Sequence, residues 1–152
     1  MFRGVNSISL DAKGRFAIPT KYREGLKDSC AGQLVLTIDI SERCLLIYES
    51  PEWDEVERKL MKLPTFNKNA RALQRVLVGH ASEVEMDGQG RILLPAPLRD
   101  YAGLERQAVL VGQGNKFEMW DETTWNERRN AWIDAIDIDE LAQETGIGDL
   151  SI

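Results

Sequence analysis

Residues 5–24 read VNSISLDAKGRFAIPTKYRE, and residues 81–100 read ASEVEMDGQGRILLPAPLRD. Aligned at a shift of 76 positions, the two stretches share five identical residues, and their apolar positions also agree. A repeat of this kind predicts two copies of one structural unit, neither of which is expected to be stable alone. The identical pairs are Asp11/Asp87, Gly14/Gly90, Arg15/Arg91, Pro19/Pro95 and Arg23/Arg99.

Each copy carries the pattern Asp-x-x-Gly-Arg between two short apolar runs. In the first copy, apolar residues alternate at Ile8 and Leu10 and again at Phe16 and Ile18, which is the period of a β-strand. The aspartate can bond to the backbone of its own turn, and the glycine can adopt a positive φ. The segment therefore predicts a β-hairpin.

Beyond the turn, each copy predicts a short helix, two apolar strands and a closing helix. The short helices are expected over 20–26 and 96–102, directly after the prolines that end the preceding strands. A linking helix is expected between the copies, starting from a capping Asn67. The fold class is therefore mainly β with flanking α-helices, an α+β protein. The remaining strands are expected at 34–38, 44–48, 108–112 and 116–120.

The domain organisation follows from these patterns. We expect a first unit at 1–63, a linking helix at 64–79, a second unit at 80–132 and an acidic tail at 133–152. The tail is interpreted as a solvated segment that keeps the chain soluble, and masking of a basic surface is the alternative.

The formal net charge of −6 is an average over two unlike ends. Residues 1–27 hold six Lys or Arg against two acidic residues, whereas 133–152 hold six acidic residues and no Lys or Arg. A negative net charge would ordinarily argue against binding nucleic acid, but the basic beginning of the chain reverses that inference.

The sequence contains no pattern typical of catalysis or of metal binding. The single histidine, His80, has Ser82 two residues away but no visible acid to orient it, so a packed or hydrogen-bonded histidine is the simpler interpretation. Cys30 and Cys44 form neither a disulfide framework nor a zinc-site spacing. No apolar run is long enough to span a membrane. We therefore expect no enzyme activity, no metal, no cofactor and no membrane partner.

The first copy of the turn has the neighbours expected of a DNA-binding surface. Arg3, Lys13 and Arg15 fall in one short stretch, and a basic two-stranded ribbon can contact phosphates or enter a major groove. Arg15 is the candidate for a bidentate contact with a guanine edge, and Lys13 for a phosphate contact. In the second copy Gln89 replaces the lysine and the preceding strand is acidic. The first copy is therefore expected to bind, while the second mainly completes the fold.

A purely structural role for the motif is the competing interpretation. The aspartate would cap the turn, the glycine would bend it, and the arginine would pair with the aspartate to hold it. Asp11 would then orient Arg15 or cap the turn without touching DNA. The motif residues assigned to this role are Asp11, Gly14, Asp87, Gly90 and Arg91.

The chain resembles the MraZ family in the paired motifs DAKGR and DGQGR, in IPTKYR and LPAPLR, in VLVGHASEVEMDGQGR and in FEMWDETTW. The resemblance spans roughly residues 1–130, and the last twenty residues match no motif of the family. It implies two tandem SpoVT-AbrB-type (AbrB-like) units with swapped hairpins, packed as a pseudo-dimeric β-barrel. It also implies a transcriptional regulator, a repressor of its own division and cell-wall gene cluster. Such a regulator binds repeated promoter boxes in double-stranded DNA as a ring-shaped homo-oligomer.

A regulator of this kind is expected in the cytoplasm, associated with the nucleoid. The leading alternative is an antitoxin-like protein-interaction module, since AbrB-type barrels also occur in antitoxins whose tail folds on a partner. Partner binding that depends on 133–152 would favour that alternative. An enzyme on a related barrel comes third and would require an activity that depends on His80.

Overall fold

The computed structural model describes residues 1–148, 150 and 152. In this part of the chain it contains eight strands and six helices, which confirms the α+β class. The strands are β1 (Phe2–Ser9), β2 (Arg15–Ala17), β3 (Gln33–Ile38), β4 (Leu45–Glu49), β5 (Ser82–Glu85), β6 (Arg91–Leu93), β7 (Gln107–Gly114) and β8 (Lys116–Asp121). The helices are α1 (Thr20–Cys30), α2 (Ser50–Met61), α3 (Lys68–Leu77), α4 (Ala96–Ala102), α5 (Glu122–Ala135) and α6 (Ile138–Thr145).

The chain divides into two compact units, Met1–Glu122 and Thr123–Ile152. The unit Met1–Glu122 contains every described strand and the first four helices, and it carries the repeat. In the unit Thr123–Ile152, the rings of Trp125 and Trp132 meet edge to face with their centroids 6.0 Å apart. The guanidinium of Arg128 lies 5.1 Å from the centroid of the Trp132 ring. These aromatic contacts are typical of a packed helix surface.

Helix α6 lies in the segment that the sequence analysis interpreted as a solvated tail. Its N-terminus is capped by Asp137, whose side chain accepts a hydrogen bond of 3.0 Å from the backbone N–H of Glu140. None of the residues in α6 is buried, so the helix exposes apolar as well as acidic side chains. Among the described residues, no helix combines the length and the apolar character that a membrane span requires.

The strands of the two copies interleave in one six-stranded antiparallel sheet, in the order β1-β7-β8-β4-β3-β5. Strands β1, β3 and β4 come from the first copy, and β5, β7 and β8 from the second. At each edge the copies exchange strands, since β1 pairs with β7 and β5 pairs with β3. Strands β4 and β8 pair at the centre, where Leu46 is opposite Glu118. The two copies are therefore related by a pseudo-two-fold axis that passes between β4 and β8.

Strands β2 and β6 form a separate two-stranded antiparallel ribbon. The hairpin prediction is wrong in its pairing, because β1 pairs with β7 and β2 with β6, each across the copies. The physical reason is burial. Phe16 and Ile92 are opposite each other in the ribbon and are 2% and 1% exposed. A three-residue strand paired only within its own copy would be marginal, whereas pairing across the copies places both side chains in one core.

The described strands form an open sheet and a ribbon, not the closed barrel that the family resemblance implied. Strands β1 and β5 are the two edges of the sheet, and no ladder joins them in the described part of the chain.

The central strands are apolar on both faces because both faces are covered. On one face, Leu36 of β3 belongs to the main core, which the ribbon shares. On the other face, Val35 packs in a second cluster with Trp53 of α2. Thr37 is fully buried, and its hydroxyl donates a 2.7 Å hydrogen bond to the carbonyl of Leu77. That bond satisfies the buried hydroxyl and ties β3 to the end of α3.

The helix predictions hold where a local signal controls them. Asn67 caps α3 as expected, since its side chain accepts a 3.0 Å hydrogen bond from the N–H of Ala70. Helix α4 matches the range 96–102. Helix α1 runs past the predicted end at residue 26 to Cys30, and it stops where Ala31 adopts a left-handed conformation with φ of 53°.

Candidate nucleic-acid interface

The first Asp-x-x-Gly-Arg turn, residues 11–15 (turn 1), leads from β1 into the ribbon. Oδ1 of Asp11 accepts hydrogen bonds from the backbone N–H groups of Lys13 and Arg15, both at 2.9 Å. Its Oδ2 accepts a third from Nε of Arg15 at 2.9 Å. Gly14 closes the turn with a φ of +86°. The backbone N–H of Arg15, followed by its side chain, lowers the pKa of Asp11, so the carboxylate stays ionised beside the guanidinium.

The second turn, residues 87–91 (turn 2), repeats this geometry. Oδ1 of Asp87 accepts from the N–H groups of Gln89 and Arg91, both at 2.9 Å, and Oδ2 accepts from Nε of Arg91 at 3.0 Å. Gly90 has a φ of +76°. The pKa of Asp87 is lowered mainly by the backbone N–H of Arg91. Both copies therefore hold an arginine against an ionised aspartate in the same way.

The two turns lie at opposite ends of the antiparallel ribbon. Arg15 is opposite Leu93, and Ala17 is opposite Arg91. Side chains alternate along a strand and paired residues share a face, so these four residues lie on the side opposite the core, which we call the outer face. Leu93 is 52% exposed, as expected for that side. The outer face therefore carries an arginine at each end, separated by roughly 7 Å along the ribbon.

Each turn is covered by an arginine from the other copy, a role that the sequence analysis missed. Arg99 lies across turn 1 so closely that a Cβ on Gly14 would be 2.5 Å from its Nε. Arg23 lies across turn 2, and a Cβ on Gly90 would be 2.3 Å from its Nε. Each Nε also donates to a backbone carbonyl of its own copy, at 3.2 Å and 2.7 Å. The alignment of the repeat shows that Arg23 and Arg99 are identical, but only the tertiary structure shows what they contact.

The structure brings together two of the three predicted DNA-binding residues. Lys13 is exposed in turn 1, and the side chain of Arg15 is 39% exposed next to it. Arg3 is exposed near the far end of β1, six residues and about 20 Å from Ser9. The hydroxyl of Tyr22 donates a hydrogen bond to the carbonyl of Arg3 and fixes that end of the strand. Arg3 is therefore not beside the turn, because a continuous length of strand separates it from Ser9.

The neighbourhood of His80 is that of a hydrogen-bonded histidine, as predicted. Its exposed ring contacts the carbonyl of Val76 through Nδ1 at 2.7 Å. The hydroxyl of Ser82 donates to the backbone carbonyl of His80 at 3.3 Å, not to the ring. No nucleophile–base pair is formed between these two side chains.

Among the residues that the structure describes, one group of potential metal ligands comes together that the sequence alone did not indicate. Ligand atoms of Asp39, Cys44 and Glu118 lie within 4.8 Å of one another. Burial raises the pKa of the Cys44 thiol far above its usual range and also raises the pKa of Glu118. The protonated thiol donates a 3.7 Å hydrogen bond to Oδ2 of Asp39. Glu118 arrives only through the pairing of β4 with β8, so no local pattern could indicate it.

The fold and its paired turns define a class of duplicated α+β proteins in which each Asp–Arg turn is covered by an arginine of the other copy. The family described as "MraZ protein, putative antitoxin-like" matches residues 1–76 and 77–140. The chain belongs to the MraZ family.

Relatives named "Transcriptional regulator MraZ" cover most of the chain. The protein of Methylococcus capsulatus is 57% identical over 141 residues, which is 93% of this chain and 92% of that protein. The protein of Halorhodospira halophila is 56% identical over 133 residues, 88% of each chain. The protein of Thioalkalivibrio sulfidiphilus is 54% identical over 147 residues, 97% of this chain and 96% of that one.

Proposed function

We propose that this chain is a sequence-specific DNA-binding transcriptional regulator that represses its own division and cell-wall gene cluster. The observation that carries the proposal is the outer face of the ribbon, where Asp11 holds Arg15 beside the exposed Lys13. The name of the relatives, transcriptional regulator, supports the same function. The proposed action is binding alone, with no catalytic step and no cofactor.

Arg15 is the proposed reader of sequence. Asp11 engages its Nε, and no hydrogen bond from Nη1 or Nη2 is found among the residues that the structure describes. A guanidinium held in this way has lost part of its side-chain freedom before DNA arrives, so less entropy is lost on binding. Its remaining N–H groups can reach O6 and N7 of a guanine. A two-stranded ribbon fits the major groove, which is about 12 Å wide.

Lys13 and Arg3 are proposed as phosphate ligands. Lys13 lies in turn 1, two residues before Arg15, and would contact the phosphates that flank the base read by Arg15. Arg3 lies about 20 Å along β1 and would contact a phosphate several base pairs away. In this arrangement the first unit (1–63) supplies the contacts that the sequence indicated, and the unit 80–132 is linked to it through 64–79.

A ring-shaped homo-oligomer is the proposed active form. One chain offers few cations to the duplex, so its binding alone should be weak and sensitive to salt. A ring that presents several ribbons can engage repeated promoter boxes, and linked engagements raise affinity without new kinds of contact. Repression would follow from occlusion of the promoter, and the protein would be cytoplasmic and associated with the nucleoid.

The test compares Arg15→Ala with Arg91→Ala. Each variant loses one Asp–Arg ion pair of nearly the same geometry, 2.9 Å and 3.0 Å, so a difference between them does not reflect turn stability. Fluorescence anisotropy on the protein's own upstream DNA and on a scrambled duplex gives the Kd at several salt concentrations. We expect Arg15→Ala to weaken binding to the upstream DNA by about 1–3 kcal/mol, roughly 5- to 150-fold, and Arg91→Ala to weaken it less.

Four outcomes would contradict parts of this proposal. A folded Arg15→Ala variant that binds like the wild type would show that the assignment of Arg15 is wrong. An equal loss on both duplexes would make Arg15 a phosphate contact. A wild-type protein that binds neither duplex would favour the antitoxin-like interaction module. Light scattering that reports a single chain would contradict the proposed ring.

A further inference from the structure

A cleft of about 420 Å³ opens beside turn 1, between the end of β1 and the loop that follows α4. It is lined by two arginines and two acidic residues, and one of the acidic residues is already in an ion pair. Asp11 is already paired with Arg15 at 2.9 Å, so Glu105 is the remaining acid of the lining. The lining alone is balanced, but with Arg15 counted three arginines stand against two acidic residues, so the net charge around the cleft is +1. Its polar lining residues are Asp11, Arg99, Glu105 and Arg106.

Symmetry shows what distinguishes this cleft from its counterpart at turn 2. The N–H of Leu10 donates to the carbonyl of Arg106 at 2.8 Å. At the equivalent place beside turn 2, the N–H of Met86 donates to the carbonyl of Gly32 at 2.9 Å. The same backbone contact thus brings an arginine side chain to turn 1 and no side chain to turn 2.

The two arginines that line the cleft have different roles. Nε of Arg99 donates to the carbonyl of Leu94 at 3.2 Å, and the side chain covers Gly14, so Arg99 supports the turn. Arg106 is exposed and takes part in none of the ion pairs found among the described residues. An exposed guanidinium with its donors available is well suited to a phosphate group.

We propose that Arg106, carried by the second copy, is a phosphate ligand in the cleft beside turn 1. The phosphate belongs to the backbone of the duplex whose base edge Arg15 contacts, so this inference rests on the proposed function. The DNA-binding face is then composite, because the first copy supplies Lys13 and Arg15 and the second supplies Arg106. The second copy therefore binds as well as completing the fold.

The experiment uses the full chain and compares Arg106→Ala and Arg106→Lys with Arg71→Ala. Arg71 is an exposed arginine of α3, so its removal changes the net charge equally at another place. The Kd for the upstream and the scrambled duplex is measured by anisotropy over a salt series, and circular dichroism checks folding.

We expect Arg106→Ala to weaken binding to both duplexes by the same factor, roughly threefold or more. The slope of log K against log salt should become shallower by about 0.9, the value for one lost phosphate contact. Arg106→Lys should keep the slope, since a lysine can still act as a point charge on a phosphate. Arg71→Ala should change neither quantity.

The inference is overturned if Arg106→Ala behaves like Arg71→Ala in both Kd and slope. In that case a difference between the wild type and Arg15→Ala would leave the proposed function standing. A loss confined to the upstream duplex would also overturn it, because a phosphate contact carries no sequence preference. Binding of inorganic phosphate that depends on Arg106, with unchanged DNA affinity, would overturn it in favour of a small phosphorylated ligand. A wild-type protein that binds neither duplex would contradict both the proposed function and this inference.

Discussion

Turn 1 and turn 2 have nearly the same backbone but different surroundings. The Asp–Arg distances are 2.9 Å and 3.0 Å, and the glycine φ angles are +86° and +76°. Turn 1, however, has Lys13 where turn 2 has Gln89, and it has Arg106 beside it where turn 2 has Gly32. Lys13 and Gln89 are both exposed, so at this position the two copies differ in charge while the turn geometry stays the same. Exposed substitutions cost little stability, so charge can collect at one turn without harm to the fold.

The largest effect is expected from Gly14→Ala and Gly90→Ala, which test whether the turns are equal in the fold. Each glycine has a positive φ, and an added Cβ would force Arg99 or Arg23 away. We expect each variant to lose about 1–3 kcal/mol of the free energy of unfolding, by a similar amount in both turns. Urea unfolding followed by circular dichroism measures this.

Gly25→Ala is the matched control for these two variants. Gly25 lies inside α1, and an added Cβ there meets no atom within 4 Å. Alanine is the better helix former, so we expect this variant to gain about 0.5–1 kcal/mol. A large loss at only one of the two turns would show that the ribbon does not depend equally on both.

An intermediate effect is expected from exchanging the charges of the two turns. Lys13→Gln gives turn 1 the residue found in turn 2, and Gln89→Lys does the reverse. We expect Lys13→Gln to weaken DNA binding by roughly threefold or more and to make the salt slope shallower by about 0.9. Both residues are exposed, so stability should stay within about 0.5 kcal/mol of the wild type.

The double exchange, Lys13→Gln with Gln89→Lys, tests whether turn 2 can bind DNA as well as turn 1 does. If turn 2 can contact DNA as well as turn 1, the protein with both substitutions regains the wild-type affinity. If Arg106 makes turn 1 the better binding site, the affinity stays low even though the net charge is restored. Anisotropy on the upstream duplex distinguishes these results.

The smallest effect is expected on the pH dependence of stability in acid. The pKa values of Asp11 and Asp87 are lowered from 3.8, so folding favours their ionised forms. The stability that they contribute is fully present above that ordinary value, and it is lost as the pH falls through the lowered folded-state pKa. We expect Asp11→Asn and Asp87→Asn each to reduce the steepness with which stability declines below about pH 4. Urea unfolding at a series of pH values measures the decline, and unequal effects would show that the two aspartates are not equivalent.

Features that depend on a few neighbouring residues could be predicted from the sequence. The aspartate, glycine and arginine of each turn lie within five residues, and the cap of α3 joins Asn67 to a residue three positions on. Prediction failed where a distant partner was needed. Two strands joined by a short turn ordinarily pair with each other, yet β1 and β2 each found a partner in the other copy. Arg3 was expected near Arg15 because the two are close in sequence, but an extended strand carries them apart.

The order of the amino acids is enough to show that there are two copies, that each has an Asp-x-x-Gly-Arg turn, and that positive charge gathers at the beginning of the chain. The folded chain is needed to show that the copies interleave, that Arg23 and Arg99 cover each other's turns, and that Arg106 lies beside turn 1. The difference arises because the interactions involved act over different distances along the chain. Hydrogen bonds within a turn and the φ preference of glycine act over a few residues. Strand pairing across the copies is selected by the joint burial of apolar side chains such as Phe16 and Ile92, which are distant in sequence.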